Sequence, residues 1–252
     1  MLIAVSALKG YAVEASDGGG IGKVHDLLFD DVTWRLRWLV VDVGSWLSDR
    51  KVLVHPSSIR NPDYVGQVLP LTLTKLQIEN SPPLATDQPV STRMETNLFD
   101  YCGSDPLWGY SYFGGDGLGG PLGGPRYLGG RDGVGLADDD EGDPHLRSLA
   151  EVTGYHMHAV DGEIGHAENF LVDDANWDVR YIIVDTRNWW PGEHVLISPY
   201  AVKAVSWRAR EIRLDVGRER VKSSPPWDPI AMIDQVYEKK LHTHYGWRGY
   251  GF

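Results

Sequence analysis

The sequence predicts an all-β chain: two small antiparallel β-barrels in tandem, each followed by a short helix and joined by a glycine-rich linker. Three observations predict it. One block of sequence returns at a fixed offset, each block is a series of short apolar runs broken by turn residues, and the stretch between the blocks is dense in glycine.

Ile21-Gly22-Lys23-Val24-His25-Asp26-Leu27-Leu28-Phe29-Asp30-Asp31 returns 143 residues later as Ile164-Gly165-His166-Ala167-Glu168-Asn169-Phe170-Leu171-Val172-Asp173-Asp174. In the same ungapped register Trp34 meets Trp177, Arg37 meets Arg180, Asp42 meets Asp185, Trp46 meets Trp189 and Pro56 meets Pro199. Such self-similarity marks a duplicated folding unit. It divides the chain into residues 1–103, a linker over 104–147, and residues 148–252.

In the first unit, residues 10–15 read as a strand closed by Asp17-Gly18-Gly19-Gly20, and 21–29 as a second ending at the Asp30-Asp31 turn. Residues 34–43, rich in Trp, Leu and Val, form the strongest strand. Residues 51–55 form a fourth, stopped by Pro56, which has no N–H for a ladder. Residues 65–73 make a fifth. The second unit repeats this over 155–160, 164–172, 177–186, 194–198 and 204–216, where Ile212, Leu214 and Val216 alternate with Arg213 and Asp215. Closing five or six such short strands into a barrel removes their exposed edges. Ile233, Val236, Tyr237 and Leu241 then fall at helical spacing, and the helix should stop near Gly246. Glu95, Leu98 and Gly103 supply a looser counterpart after the first barrel.

Composition narrows function. A formal charge of −11 disfavours direct nucleic-acid binding, where affinity comes from Lys and Arg displacing counterions. Cys102 is the single cysteine, which excludes an internal disulfide and a cysteine-based zinc site. No run approaches the roughly 18 apolar residues of a membrane helix. The opening Met1-Leu2-Ile3-Ala4-Val5-Ser6-Ala7-Leu8 lacks a basic leader, so a cytoplasmic location is expected.

The chemistry-bearing residues read as structural. Asp30-Asp31 and Asp173-Asp174 are paired carboxylates, but Asp favours turns because it accepts local backbone hydrogen bonds. His156 and His158 share one strand face, yet polar surface histidines are the default. Asp138-Asp139-Asp140-Glu141-Gly142-Asp143 starts like a calcium loop, but Leu149 stands where the closing glutamate belongs. The glycine run lacks a phosphate-loop ending, and no nucleophile elbow occurs. The expectation is a non-enzyme with no cofactor, no metal and no small-molecule substrate, since a barrel this narrow is filled by its own side chains.

Aromatics carry the binding prediction. Trp46 in the first unit and Trp189 and Trp190 in the second lie at the tip between the third and fourth strands. Trp108, Tyr110, Tyr112, Phe113 and Tyr127 stud the linker, and Trp247, Tyr250 and Phe252 lie near the end. Exposed rings of this kind anchor protein interfaces.

Asp161-Gly162-Glu163-Ile164-Gly165, Phe170-Leu171-Val172-Asp173-Asp174, Tyr181-Ile182-Ile183-Val184-Asp185, Asn188-Trp189-Trp190-Pro191-Gly192 and Val195-Leu196-Ile197-Ser198-Pro199 together resemble the PRC-barrel family. The family is named for the cytoplasmic domain of the photosynthetic reaction-centre H subunit. The resemblance covers residues 8–83 and 151–226, with Ser45-Trp46-Leu47-Ser48-Asp49 replacing the Trp-Trp-Pro-Gly tip in the first unit. It implies a barrel without a catalytic site, acting as a docking module. A protein-binding scaffold or peripheral subunit follows, most specifically on the cytoplasmic face of a photosynthetic or inner-membrane complex. A ribosome-maturation-type adaptor and a stand-alone stress-related PRC-barrel protein are the alternatives. Two rigid barrels would give two docking faces, with the linker setting their spacing.

Overall fold

The computed structural model describes residues 1–44, 50–81, 145–186, 194–227 and 233–250. Thirteen strands are present among them: β1 Leu2–Ala4, β2 Ala12–Glu14, β3 Gly20–Asp30, β4 Leu36–Asp42, β5 Lys51–Val54 and β6 Val68–Pro70, then β7 Leu146–Ser148, β8 His156–Ala159, β9 Gly162–Asp173, β10 Val179–Asp185, β11 His194–Ile197, β12 Val202–Ser206 and β13 Glu211–Leu214. The first sheet runs β5-β4-β3-β2-β6 and the second β11-β10-β9-β8-β13-β12.

A 3-10 turn that opens on proline follows β5 and β11. After β11 a 3-10 turn at Pro199–Ala201 bends the chain into β12, so the sheet returns to its own backbone. The first sheet does the same after Pro56–Ser58: Ile59 bridges Leu71, and the Arg60 N–H donates to the Pro70 carbonyl at 2.7 Å. The expected antiparallel pairing holds except for β2 with β6 and β8 with β13, which are parallel. Residues 204–216, expected as one strand, are instead parts of the β12–β13 hairpin, reversed at residues 207–210 with Arg210 at φ 56°. Among the described residues no helix is long and apolar enough to cross a membrane.

Each Asp-Asp pair divides its labour. Asp30 Oδ1 accepts from the backbone of Val32 and Thr33 at 3.1 and 2.7 Å, and Asp173 Oδ1 accepts from Ala175 at 3.1 Å. These are the predicted turns. Trp34 and Trp177 follow at φ 57° and 59°, a left-handed conformation unfavourable for a bulky residue and here held by burial of both indoles. The second aspartate reaches across the repeat. Asp31 accepts from His145 Nδ1 at 2.9 Å, and Asp174 from the Tyr64 hydroxyl at 2.7 Å.

The two repeats exchange strands. Leu2, Ile3 and Ala4 of β1 pair with Asp173, Val172 and Leu171 of β9, while Leu146, Arg147 and Ser148 of β7 pair with Asp30, Phe29 and Leu28 of β3. One register serves both exchanges, related by the sequence repeat. Each exchanged strand leads into one helical turn, Val5–Leu8 or Leu149–Val152, whose Val5, Leu8, Leu149 and Val152 are buried. Polar groups repeat the symmetry: Asn169 Oδ1 accepts from Ser6 N–H at 3.2 Å, and Asp26 Oδ1 accepts from Ala150 N–H at 3.3 Å.

At the centre, the equivalent residues Arg35 and Asp178 form a bridge to each other, with Arg35 Nε donating to Asp178 Oδ1 at 2.7 Å. One continuous apolar cluster therefore includes Leu8, Leu27 and Phe29 together with Leu149, Phe170 and Ile182. The expectation that the linker sets the spacing of two separate barrels is corrected: exchanged strands and a shared core set it. The helix expected after the first barrel lies outside the described residues.

Glycine is required where β4 and β10 cross closely over the preceding strand. A Cβ on Gly165, at φ 131°, would stand 1.9 Å from the Asp185 carbonyl oxygen, and one on Gly22 would stand 2.0 Å from that of Asp42. Gly165→Ala should lower the unfolding free energy by on the order of 3 kcal/mol, from backbone strain and overpacking together. Chemical denaturation at neutral pH measures it; an unchanged midpoint would contradict the close approach.

Candidate functional surface

Three strands bring ionisable side chains to one face of the second barrel. Asp185 on β10 stands opposite His166 on β9 and opposite His194 on β11. Directly opposed residues share a face. Glu168 occupies the β-bulge of β9, where the pairing steps from Asn169 to Ala167. His166 Nε2 lies 3.6 Å from Asp185 Oδ2, and His194 Nε2 lies 2.9 Å from Glu168 Oε2. Asp185 is fully buried, while the other three reach solvent.

The first barrel builds the same face from other residues. Asp42 is flanked by Lys23 and Lys51 in the same register, with His25 at the bulge. Lys51 Nζ donates to His25 Nε2 at 2.9 Å, and Asp42 accepts from Gly44 N–H at 3.0 Å.

A second polar group lies under the helix Gln235–Tyr245, which is capped by Asp234 at its start and ends at Gly246 in the left-handed conformation, where the sequence placed its stop. The Tyr181 hydroxyl lies 2.9 Å from Glu238 Oε1, to which it donates, and 2.8 Å from His242 Nε2. Arg180 pairs with both Glu238 and Asp173. Burial, followed by the negative charge of Glu238, holds the Tyr181 hydroxyl far above its ordinary range. Burial lowers the His242 imidazole below 6.5, against a hydrogen bond to the Arg248 carbonyl. Both effects disfavour ionised forms in a packed environment. This is a docking joint for the helix.

Two of the aromatic candidates fall on that joint. Tyr250 stacks on Tyr200 with centroids 5.1 Å apart, and its hydroxyl donates to the Arg180 carbonyl at 3.0 Å. Trp247 stacks on Tyr245 at 4.0 Å. Both rings thus engage the chain's own last helix and barrel. Trp46, Trp108, Tyr110, Tyr112, Phe113, Tyr127, Trp189, Trp190 and Phe252 lie outside the described residues. His156, weighed with His158 as a strand pair, is joined to Glu163 at 2.8 Å.

An open groove of about 620 Å³ runs outside the barrel between Ser223–Pro226 and Val236, Lys239, Lys240, Thr243 and His244. Sequence reasoning missed the shared face of His166, Glu168, Asp185 and His194. Its signal was present in the 143-residue alignment, where Lys23 and Lys51 become His166 and His194 beside an unchanged aspartate.

Two comparisons with known proteins give matches to part of this chain. An uncharacterized protein of Deinococcus radiodurans is 36% identical to this chain over 85 residues, which is 34% of this chain and 30% of the relative. The match thus spans less than a third of that relative's length. The family model for the PRC-barrel domain matches residues 1–77, the segment that holds β1 through β6 and the Asp30-Asp31 turn. Over that segment the chain is similar to a PRC-barrel domain.

Proposed function

We propose that this chain is a non-catalytic scaffold that binds other proteins through its outer surface. The observation that carries the reading is a PRC-barrel domain whose interior is its own packing. Leu27, Leu39, Val41 and Leu69 fill the first barrel, and Ile164, Ile182, Val184 and Ile212 the second. Aliphatic side chains in these positions leave a barrel mouth little to bind with.

Strand exchange adds to the argument. A body with two repeats fixed by shared strands presents two related faces at one set distance, so a partner meets both without ordering a tether. In its more specific form, the partner is a subunit of a photosynthetic membrane complex, with this chain seated peripherally on the cytoplasmic side. What supports that form is the sequence resemblance of both repeats to the family named for the H-subunit domain.

The test is photo-cross-linking in native cells from positions 46 and 190 of the intact chain. Cross-links to a membrane-complex subunit, in a membrane pellet released by a high-salt wash, are the expected result. Cross-links to a ribosomal protein in the ribosomal pellet would favour the adaptor reading. No protein cross-link at either position would overturn the scaffold.

A further inference from the structure

We propose that His166, Glu168, Asp185 and His194 bind a divalent transition-metal ion of the zinc type on the face of β9, β10 and β11. The inference stands apart from the scaffold reading and uses only this face.

Four observations support it. The residue types suit such an ion: two imidazoles and two carboxylates form a borderline N/O donor set. The donors already converge, since ligand atoms of Glu168, Asp185 and His194 lie within 4.8 Å of one another. His166 Nε2, at 3.6 Å from Asp185 Oδ2, completes a set of four. A tetrahedral ion with bonds near 2.0–2.1 Å needs donors roughly 3.3–3.4 Å apart. Side-chain rotation of His194 and Glu168, both partly exposed, covers the difference.

The scaffold beneath is rigid where it needs to be. Asp185 is fully buried and sits on the central strand, so the donor with least freedom is the one held between the other two strands. Sites built on strands hold geometry better than sites built on loops.

The fourth observation is the comparison the chain makes with itself. In the first barrel the corresponding aspartate, Asp42, lies between two lysines, whose ammonium groups bring positive charge to that face. In the second barrel both lysines are replaced by histidines and His25 by Glu168. The two ammonium groups give way to imidazole donors and a second carboxylate joins the face, and a divalent cation can supply the positive charge that the lysines bring to the first barrel.

The same comparison supplies the control. Because the first barrel carries Lys23 and Lys51 at the equivalent places, the double substitution His166→Lys with His194→Lys gives the second barrel a pattern this fold already accepts. Zn(II) titration of the intact chain by calorimetry should show one strong site, and Co(II) in its place should give the intense visible bands of four-coordinate cobalt. The double-lysine variant should bind at least about 100-fold more weakly and lose those bands, with an unchanged circular dichroism spectrum. Absence of a strong site in the parent chain would overturn the proposal. So would equal binding in the folded double variant, which would assign the ion to other histidines. Should the double variant not fold, His194→Gln alone is expected to weaken binding at least about tenfold; equal affinity there overturns the site as well.

Discussion

A single backbone cut placed between residues 104 and 144 is expected to leave one particle of the original size, with both fragments present and folded. Each repeat donates a strand and a helical turn to the other, through β1 on β9 and β7 on β3. The apolar side chains delivered this way, Ile3, Val5 and Leu8 from one side and Leu149 and Val152 from the other, are all buried. Burying each is worth about 1.5–3 kcal/mol, whereas a tether contributes only effective concentration. The proposed linker is therefore dispensable for association once the fold has formed. An inserted protease site, cut under native conditions and followed by size-exclusion chromatography at micromolar concentration, checks it. Leu8→Ala should cost about 2–5 kcal/mol and weaken the association of the cut halves by a factor of roughly thirty to a few thousand. Two separately eluting folded fragments, with no further effect of Leu8→Ala, would contradict the exchange.

What the sequence disclosed follows from how local each signal is. The duplication was legible because its register is ungapped from residue 21 to 59. The strands β3 and β9 were legible because they end in Asp-Asp turns, and β4 and β10 because apolar runs follow those turns. The exchanged strands were not. Leu2–Ala4 and Leu146–Ser148 have three residues each, and a helical turn of four residues has no period to detect. Their identity depends on a partner far along the chain. The β12–β13 reversal was missed because Trp207-Arg208-Ala209-Arg210 contains no Gly, Pro, Asn or Asp, and Arg210 adopts the left-handed conformation regardless. Asp31 and Asp174 looked like turn residues, and their neighbours are. Their bonds to His145 and Tyr64 depend on how one repeat lies against the other, which no local pattern encodes. The face around Asp185 needed only one further step, namely comparing the two copies position by position rather than scanning each for motifs.

Acid should destabilise the protein between pH 6.5 and about 4 through His55, and the sign follows from the site. His55 is buried at the end of β5, with its ring 5.4 Å from that of Trp38. Its Nδ1 accepts from the Ser57 N–H at 3.2 Å, which starts the 3-10 turn at Pro56, and meets Ser57 Oγ at 2.7 Å. A proton on Nδ1 would end that acceptor role. Burial first, and the Arg37 cation second, lower the imidazole from 6.5 to about 4. Above pH 6.5 neither folded nor unfolded chain holds the proton, so the group is without effect. Below it the unfolded chain takes up a proton that the folded chain refuses, and stability falls by about 1.4 kcal/mol per pH unit until the folded group titrates too. The full window is worth on the order of 3 kcal/mol. His242, lowered in the same direction, adds to the total slope, so a comparison must isolate His55. The second barrel provides the substitution: Ser198 occupies the equivalent place and caps its own turn, accepting from Tyr200 N–H at 3.2 Å. His55→Ser should therefore keep the cap, lose the Trp38 contact, and flatten the decline of stability between pH 6.5 and 4.5. Urea unfolding of both proteins at half-unit pH steps measures the difference. Parallel curves would show that His55 takes up its proton equally well in the folded chain.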